Sequence, residues 1–152
     1  MFERLAEKKI VAILESMWDW RQMTSGAGYR EAPRSFRINP ENYSGKRLYR
    51  IVGRDADLHV TNACRELCGS ASHHGTPDAD WLRENLKILA PFDVLLVCGK
   101  VAQATYALSG HEFEKKIEIP HPAARTWTNV MIDAAAQKVR ELCIPIDRPA
   151  DA

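Results

Sequence analysis

The sequence has few cysteines, no long hydrophobic run and almost no net charge, and each of these absences excludes a class of protein. Four cysteines scattered over 152 residues do not form a disulfide framework, so we expect free thiols. No apolar run approaches the roughly 20 residues that span a bilayer, so we expect no membrane-spanning segment. A net charge of +1 argues against wrapping nucleic acid by bulk electrostatics, although a local basic rim is compatible with it.

The length and composition fit one soluble globular domain over residues 1–152. Hydrophobic residues make up 45% and charged residues 27% of the chain, which is typical of soluble proteins. The first residues, MFERLAEKK, mix acids with bases, and no apolar segment follows them. Neither a secretory signal nor a transit peptide is indicated, so we expect a cytoplasmic protein.

Short apolar runs alternate with helical patterns along the chain. Residues 22–46 are loop-like, because glycines and prolines interrupt any regular pattern there. Strands separated by helices predict an α/β fold, a three-layer α/β/α sandwich with a four-stranded, mainly parallel sheet. The predicted strands are KIVAIL (9–14), ADLHVT (56–61), FDVLLVCG (92–99) and KKIEIP (115–120). The predicted helices are SGKRLYRIVGR from Ser44, TPDADWLRENLKILAP with Thr76 as N-cap and Pro77 in the first turn, KVAQATYAL (100–108), and TNVMIDAAAQKVRELC with Thr128 as N-cap.

Polar residues stand where all four predicted strands end. In open parallel sheets, ligands bind beyond the carboxyl ends of the strands. The four ends read Glu15 and Ser16, Thr61 and Asn62, Gly99 and Lys100, and His121. These positions are therefore the first candidates for a functional site.

The window CRELCGSASHHG, directly after Asn62 and Ala63, contains ligand types that zinc accepts. Its spacing matches none of the usual closed zinc sites, and adjacent histidines rarely ligate one ion together. We favour the alternative in which the cysteines fill small apolar space and the histidines lie in a solvated turn. A metal-held interaction protein stays open as a further hypothesis, and its ligands would be Cys64, Cys68, His73 and His74.

Two further turns contain residues that suit anion or nucleic-acid contacts. Gly99 permits a tight turn into a helix whose N-terminus, with Lys100, could receive a phosphate; a plain turn is the alternative. Neither GxGxxG nor a Walker A motif is present, so no nucleotide cofactor is indicated. His121 lies between two prolines that hold it rigidly. Arg125 and Trp127 then supply a cation and a ring that a nucleic-acid strand would meet on an exposed loop, although a structural turn also fits.

Together, the segments HVTN (59–62), LLVCGKVA (95–102) and HPAAR (121–125) resemble motifs of the uracil-DNA glycosylase superfamily. They occur in the family's order and cover roughly residues 56–127. The resemblance implies a uracil-DNA glycosylase-like fold in which Asn62 reads the Watson–Crick edge of an extruded base. It also implies that His121 stabilises negative charge on the departing base. The loop after His121 would insert a side chain into the duplex, and Arg125 is the nearest candidate for it.

The first strand departs from the family's pattern. The family's first strand normally ends in a Gly- and Pro-containing segment with the residue that positions water, whereas KIVAIL runs into ESMWDWRQ (15–22). Our candidates for that residue are Glu15 or Asp19, with Asn39 of RINPEN (37–42) behind them. The family's iron–sulfur members carry additional cysteines near the N-terminus, and none precedes Cys64 here. We therefore expect no cofactor and no metal.

The function that the resemblance implies is a DNA glycosylase that excises uracil or a modified pyrimidine by hydrolysis of the N-glycosidic bond. Its partner would be DNA, either single-stranded or as a mismatched duplex with a flipped base, and we expect a monomer with no membrane contact. The alternative is a catalytically inactive module on the same fold that binds a base, a nucleotide or a protein. Aromatic rings that could stack on the base are Trp18, Trp20, Tyr29 and Phe36, and for at least two of them we favour core or loop packing.

Overall fold

A computed structural model describes residues 8–16, 31–66 and 76–143 of the chain. In these ranges strands and helices alternate, and all eight predicted elements are confirmed at nearly the predicted bounds. None of the described helices is long and apolar enough to cross a membrane. The elements are β1 (Lys9–Leu14), α1 (Tyr43–Val52), β2 (Asp57–Asn62), α2 (Ala79–Leu89), β3 (Val94–Cys98), α3 (Lys100–Ser109), β4 (Lys116–Ile119) and α4 (Asn129–Cys143).

The four strands form one sheet in the order β2-β1-β3-β4, and every neighbouring pair is parallel. In the ladder between β1 and β2, Leu14 lies opposite Asn62. In the ladder between β3 and β4, Cys98 lies opposite Ile119. Because the strands are parallel, their carboxyl ends meet at one edge of the sheet.

Each face of the sheet is covered by two helices. Along β1, Ile10, Ala12 and Leu14 pack in one core cluster with residues of α1 and α4. Val11 and Ile13 point to the opposite face and pack with residues of α2 and α3. A strand that is apolar on both faces is typical of a parallel sheet enclosed between helices. The predicted three-layer α/β/α arrangement follows from these two cores.

Residues 31–38 protect the outer edge of β2. Phe36 and Val60 exchange two backbone hydrogen bonds of 2.9 Å in an antiparallel bridge. The hydroxyl of Thr61 donates to the carbonyl oxygen of Arg34 at 2.7 Å, and Ala32 N–H donates to the carbonyl oxygen of Arg65 at 2.7 Å. The segment therefore runs antiparallel to β2, from the carboxyl end of the sheet toward its amino end. It covers the backbone groups that an exposed edge strand would present.

Helix α2 begins later than the sequence predicts. Its N-cap is Asp78 rather than Thr76, and the Asp78 carboxylate accepts the N–H of Trp81 at 3.0 Å. Before the cap the chain is extended: Pro77 bridges to Cys64, and Asp78 N–H donates to the carbonyl oxygen of Ala63 at 2.9 Å. This pairing with the chain beyond β2 keeps Thr76 and Pro77 out of the helix.

Candidate functional site

The carboxyl edge of the sheet brings four of the predicted residues to one end of the molecule. Asn62 ends β2, Glu15 follows β1, Gly99 follows β3, and His121 follows β4. We call these four residues the strand-end site. Neighbouring strands lie about 4.8 Å apart, so the backbones of the two outer strands are roughly 14 Å apart. The space between them lies above β1 and β3.

Asn62 is the most unusual residue of the strand-end site. Its side chain is fully buried, and neither Oδ1 nor Nδ2 has a hydrogen-bond partner in the part of the chain that the structure describes. Leaving such a buried polar group unpaired costs about 1–3 kcal/mol. The carboxamide therefore offers one donor and one acceptor group to a ligand. Because it is fully covered, a ligand reaches it only when the covering atoms move.

A second buried asparagine shows how the chain satisfies such a group elsewhere. Asn85 of α2 is 1% exposed. Its Oδ1 accepts from Nη1 of Arg34 at 2.9 Å, and its Nδ2 donates to the hydroxyl of Thr61 at 3.4 Å. Asn85 and Asn62 are therefore equally buried, but only Asn85 has partners among the described residues.

His121 is held in one tautomer by its own turn. Its Nδ1 accepts the backbone N–H of Ala123 at 3.0 Å, so the proton of the neutral ring lies on Nε2. Burial lowers the pKa of His121, and the nearby Glu15 carboxylate opposes that shift without reversing it. The imidazole is therefore neutral at pH 7 and presents Nε2–H as a hydrogen-bond donor.

Gly99 makes room for His121. Its φ of 92° is a conformation that residues with a side chain rarely adopt, and a Cβ there would lie 3.2 Å from Cβ of His121. Gly99 N–H also donates to the carbonyl oxygen of Ile119 at 2.8 Å, which keeps the turns after β3 and β4 together. The predicted tight turn is thus confirmed. Lys100 follows as the exposed first residue of α3, whose N-terminus has no side-chain cap.

Arg47 of α1 holds the loop after His121, although no sequence motif indicated it. Its Nη1 donates to the carbonyl oxygens of Pro122, at 2.9 Å, and Ala124. The guanidinium also lies over the ring of Tyr43, 4.4 Å from its centroid. Arg47 and Pro122 are 75 residues apart in the chain, so no local motif could reveal this contact.

Trp127 does not lie on the surface, so the expectation of an exposed ring there is wrong. The side chain is 6% exposed and belongs to the core cluster that includes Ile132 and Ala135 of α4. The loop turns inward after Ala124, and apolar burial of the large ring outweighs its use as a surface contact. Arg125, in the same loop, is exposed as expected.

Asn39 lies in the turn before α1, and its role in positioning water stays a prediction. The segment before it runs toward the amino end of β2, where Arg37 pairs with Asp57 at 2.6 Å. The Asn39 side chain is used locally and accepts the N–H of Glu41 at 2.9 Å in the turn before α1. Phe36 is nearer to the site, because it pairs with Val60 on the strand that Asn62 ends, and its partly buried ring packs against the core.

Several sequence candidates lie outside the described residues, so their placement stays a prediction. In the described ranges, no group of three or more His, Cys, Asp or Glu side chains is arranged to hold a metal ion. Cys64, Cys98 and Cys143 are buried free thiols, and burial raises the pKa of Cys98 far above its usual range. A buried thiol of this kind is unreactive. The candidates outside the described residues are Trp18, Asp19, Trp20, Tyr29, Cys68, His73 and His74.

Comparison of the chain with protein-family models found no match, and comparison with curated proteins found none either. The α/β fold with its four-stranded parallel sheet is therefore established by the structure alone. The resemblance to uracil-DNA glycosylases stays a prediction that depends on the three short motifs.

Proposed function

We propose that this protein is a DNA glycosylase-like hydrolase that excises uracil or a modified pyrimidine from a flipped nucleotide. The observation that carries the proposal is the Asn62 carboxamide, which is buried at the end of β2 without a partner among the described residues. A side-chain amide complements the O4 and N3–H groups on the Watson–Crick edge of uracil. Base contacts would offset the cost of burying Asn62 unpaired.

The reaction would break the bond between C1′ of the sugar and N1 of the base. The bonding electron pair leaves with the base, and the sugar becomes oxocarbenium-like. Water then gives its hydroxyl to C1′ and its proton to the base or to solvent. A donor aimed at the departing base lowers this barrier because negative charge develops there.

His121 and Glu15 are suited to the two charges that develop. The neutral His121 ring would donate Nε2–H to the base, and Ala123 N–H at Nδ1 keeps the proton on Nε2. The Glu15 carboxylate would orient water and oppose the positive charge on the sugar. Its electrostatic effect on His121 supports the proximity of the two groups.

The direct test is an assay for abasic sites on a panel of oligonucleotides. The panel contains uracil, hydroxymethyluracil and mismatches, each in single-stranded and duplex DNA. We expect excision from at least one substrate, and we expect Asn62→Ala and His121→Ala each to lower kcat about 10²–10³-fold. Asn85→Ala is the matched control, because it removes an equally buried carboxamide that has protein partners.

Two outcomes would contradict the proposal. The first is a panel without any abasic product. The second is excision that survives in both the Asn62→Ala and the His121→Ala variant. Base binding without turnover would instead support the alternative of an inactive binding module.

A further inference from the structure

Helix α1 and the two residues after it, Gly53 and Arg54, form a strongly basic segment. Lys46, Arg47, Arg50 and Arg54 lie within nine positions, and residues 43–54 contain no Asp or Glu. The whole chain has a net charge of only +1, so this is a local concentration of charge. Such a concentration on one face is the usual electrostatic mark of a surface that binds phosphates.

Three of these cations surround one small cavity. Its volume is about 160 Å³, and it is lined by Pro40, Lys46, Tyr49, Arg50 and Arg54, none of which is acidic. Cavities for whole organic ligands usually begin near 300 Å³. This cavity is therefore of a size for a single phosphate group, with three positive side chains around it.

The ion pairs of this surface leave it able to accept a phosphate. Arg50 pairs with Asp133 at 3.2 Å and Arg54 pairs with Glu41 at 3.3 Å, and the side chains of both pairs are largely exposed. Exposed pairs of this kind contribute little and can exchange partners. Lys46 has no ion-pair partner in the described part of the chain.

The same helix is joined to the strand-end site. Arg47, next to Lys46, donates to the carbonyl oxygens of Pro122 and Ala124 in the His121 loop. The exposed Arg125 follows directly in that loop. A strand whose base reaches His121 would therefore pass close to α1.

We propose that Lys46, Arg50 and Arg54, which we call the α1 basic face, bind the phosphodiester backbone of the DNA strand whose base enters the strand-end site. This inference rests on the proposed function. Contacts to phosphates fix the position of a nucleic acid without reading its sequence, whereas the base would be read by Asn62. The membrane surface is a less suitable partner, because this face has no row of exposed apolar side chains to enter a bilayer.

The test measures how binding to DNA depends on salt. The probe is a fluorescent single-stranded oligothymidylate, which contains no uracil, so binding is measured without excision. The slope of log K against log salt is negative, and each lost phosphate contact reduces its magnitude by about 0.7 for single strands. We expect the triple variant Lys46→Gln/Arg50→Gln/Arg54→Gln to reduce the magnitude of the slope by about 2. Lys46→Gln alone should reduce it by about 0.7.

The control removes the same charge from other surfaces. Lys87, Lys115 and Lys138 are exposed residues outside α1, and Lys87→Gln/Lys115→Gln/Lys138→Gln should leave the slope nearly unchanged. An equal fall in the magnitude of the slope in both triple variants would overturn the inference, because only total charge would then matter. Lys46→Gln keeps the test valid if the triple variant does not fold, since Lys46 has no described ion pair to lose.

Three further results separate the possible explanations. Binding of millimolar inorganic phosphate without binding to the oligonucleotide would overturn the inference in favour of a free-anion site. Binding to vesicles of anionic lipid without binding to the oligonucleotide would overturn it in favour of a membrane surface. A slope that becomes shallower in Lys46→Gln/Arg50→Gln/Arg54→Gln, while no substrate is excised, would support the inference and contradict only the proposed function.

Discussion

The guanidinium of Arg47 donates a hydrogen bond to the carbonyl oxygen of Pro122 at 2.9 Å and so joins α1 to the loop of His121. The same group donates to the carbonyl oxygen of Ala124. Ala123 lies between these two acceptors and donates its own N–H to Nδ1 of His121. Arg47 therefore acts on His121 through the backbone of one turn, which makes it a positioning residue for the proposed reaction.

Arg47→Met should loosen that turn, because methionine keeps an apolar stem but has no donors. We expect kcat for excision to fall about 10- to 100-fold with little change in KM, since small displacements of a reacting group are costly. The pH titration of the His121 ring, followed by NMR, should move toward its ordinary pKa. Arg47→Lys should affect kcat and the titration of His121 less than Arg47→Met does, because lysine keeps a donor group.

The matched control for Arg47 is Arg50, one turn further along α1. It contacts Asp133 and Asn129 of α4 on the surface, and within the described residues it makes no contact with the His121 loop. Arg50→Met should leave the His121 titration unchanged. The positioning role would be refuted if Arg47→Met also left that titration unchanged.

Asn62→Leu should make the protein more stable while it abolishes excision. The carboxamide is buried without a partner in the described residues, so an apolar side chain of similar shape removes a cost of about 1–3 kcal/mol. Asn85→Leu should lower stability by about 1–3 kcal/mol, because it leaves Arg34 and Thr61 without their partner. Chemical denaturation measures both changes. Equal destabilisation by the two substitutions would mean that Asn62 is satisfied in the free protein.

The strands were predictable because each is a short apolar run bounded by turn residues. Val94–Cys98 is buried along its whole length, as the continuous run predicts for an inner parallel strand. Asn62 and His121 were then found by position, because ligands of parallel sheets bind at the carboxyl ends of strands. Their placement at one edge follows from topology and needs no knowledge of side-chain contacts.

The parts that could not be predicted depend on contacts between distant segments. Thr76 is a good N-cap by composition, but pairing between Pro77 and Cys64 moves the start of α2 to Asp78. Trp127 has the composition of a surface contact, but its ring packs in the core. Arg47 looks like an ordinary helical cation until the fold brings the loop at Pro122 to it.

Acidification should weaken folding through His121. Burial lowers the pKa of this ring in the folded protein below its ordinary value of 6.5, so the unfolded chain takes up the proton first as the pH falls. Stability is therefore unaffected by His121 above that value and decreases as the pH falls through 6.5 toward the folded pKa. Excision should decline only as the pH falls through the folded pKa, at the lower end of this window, because a proton on Nδ1 cannot coexist with the Ala123 N–H bond.

Burial also lowers the pKa of His111, so the effect of His121 must be isolated by difference. The free energy of unfolding of the wild type and of His121→Gln, measured at several pH values, gives that difference. We expect the wild type to lose more stability than the variant between pH 7 and the folded pKa of His121. Identical pH dependence in the two proteins would show that the His121 ring is freely hydrated in the folded state.

Gly99→Ala should damage the site as well as the fold, and Gly110→Ala provides the comparison. Both glycines have positive φ, 92° and 74°, but ψ is 165° at Gly99 and 1° at Gly110, so alanine strains the backbone at both positions and more strongly at Gly99. At Gly110 an added Cβ meets nothing within 4 Å, whereas at Gly99 it lies 3.2 Å from Cβ of His121. We expect both variants to lose stability in thermal unfolding, but only Gly99→Ala to lose kcat when the two are assayed at a temperature where both are folded. Because both variants are compared while folded, a selective loss of kcat in Gly99→Ala would place its effect at the strand-end site, and equal losses would assign the effect to the strain that both variants share.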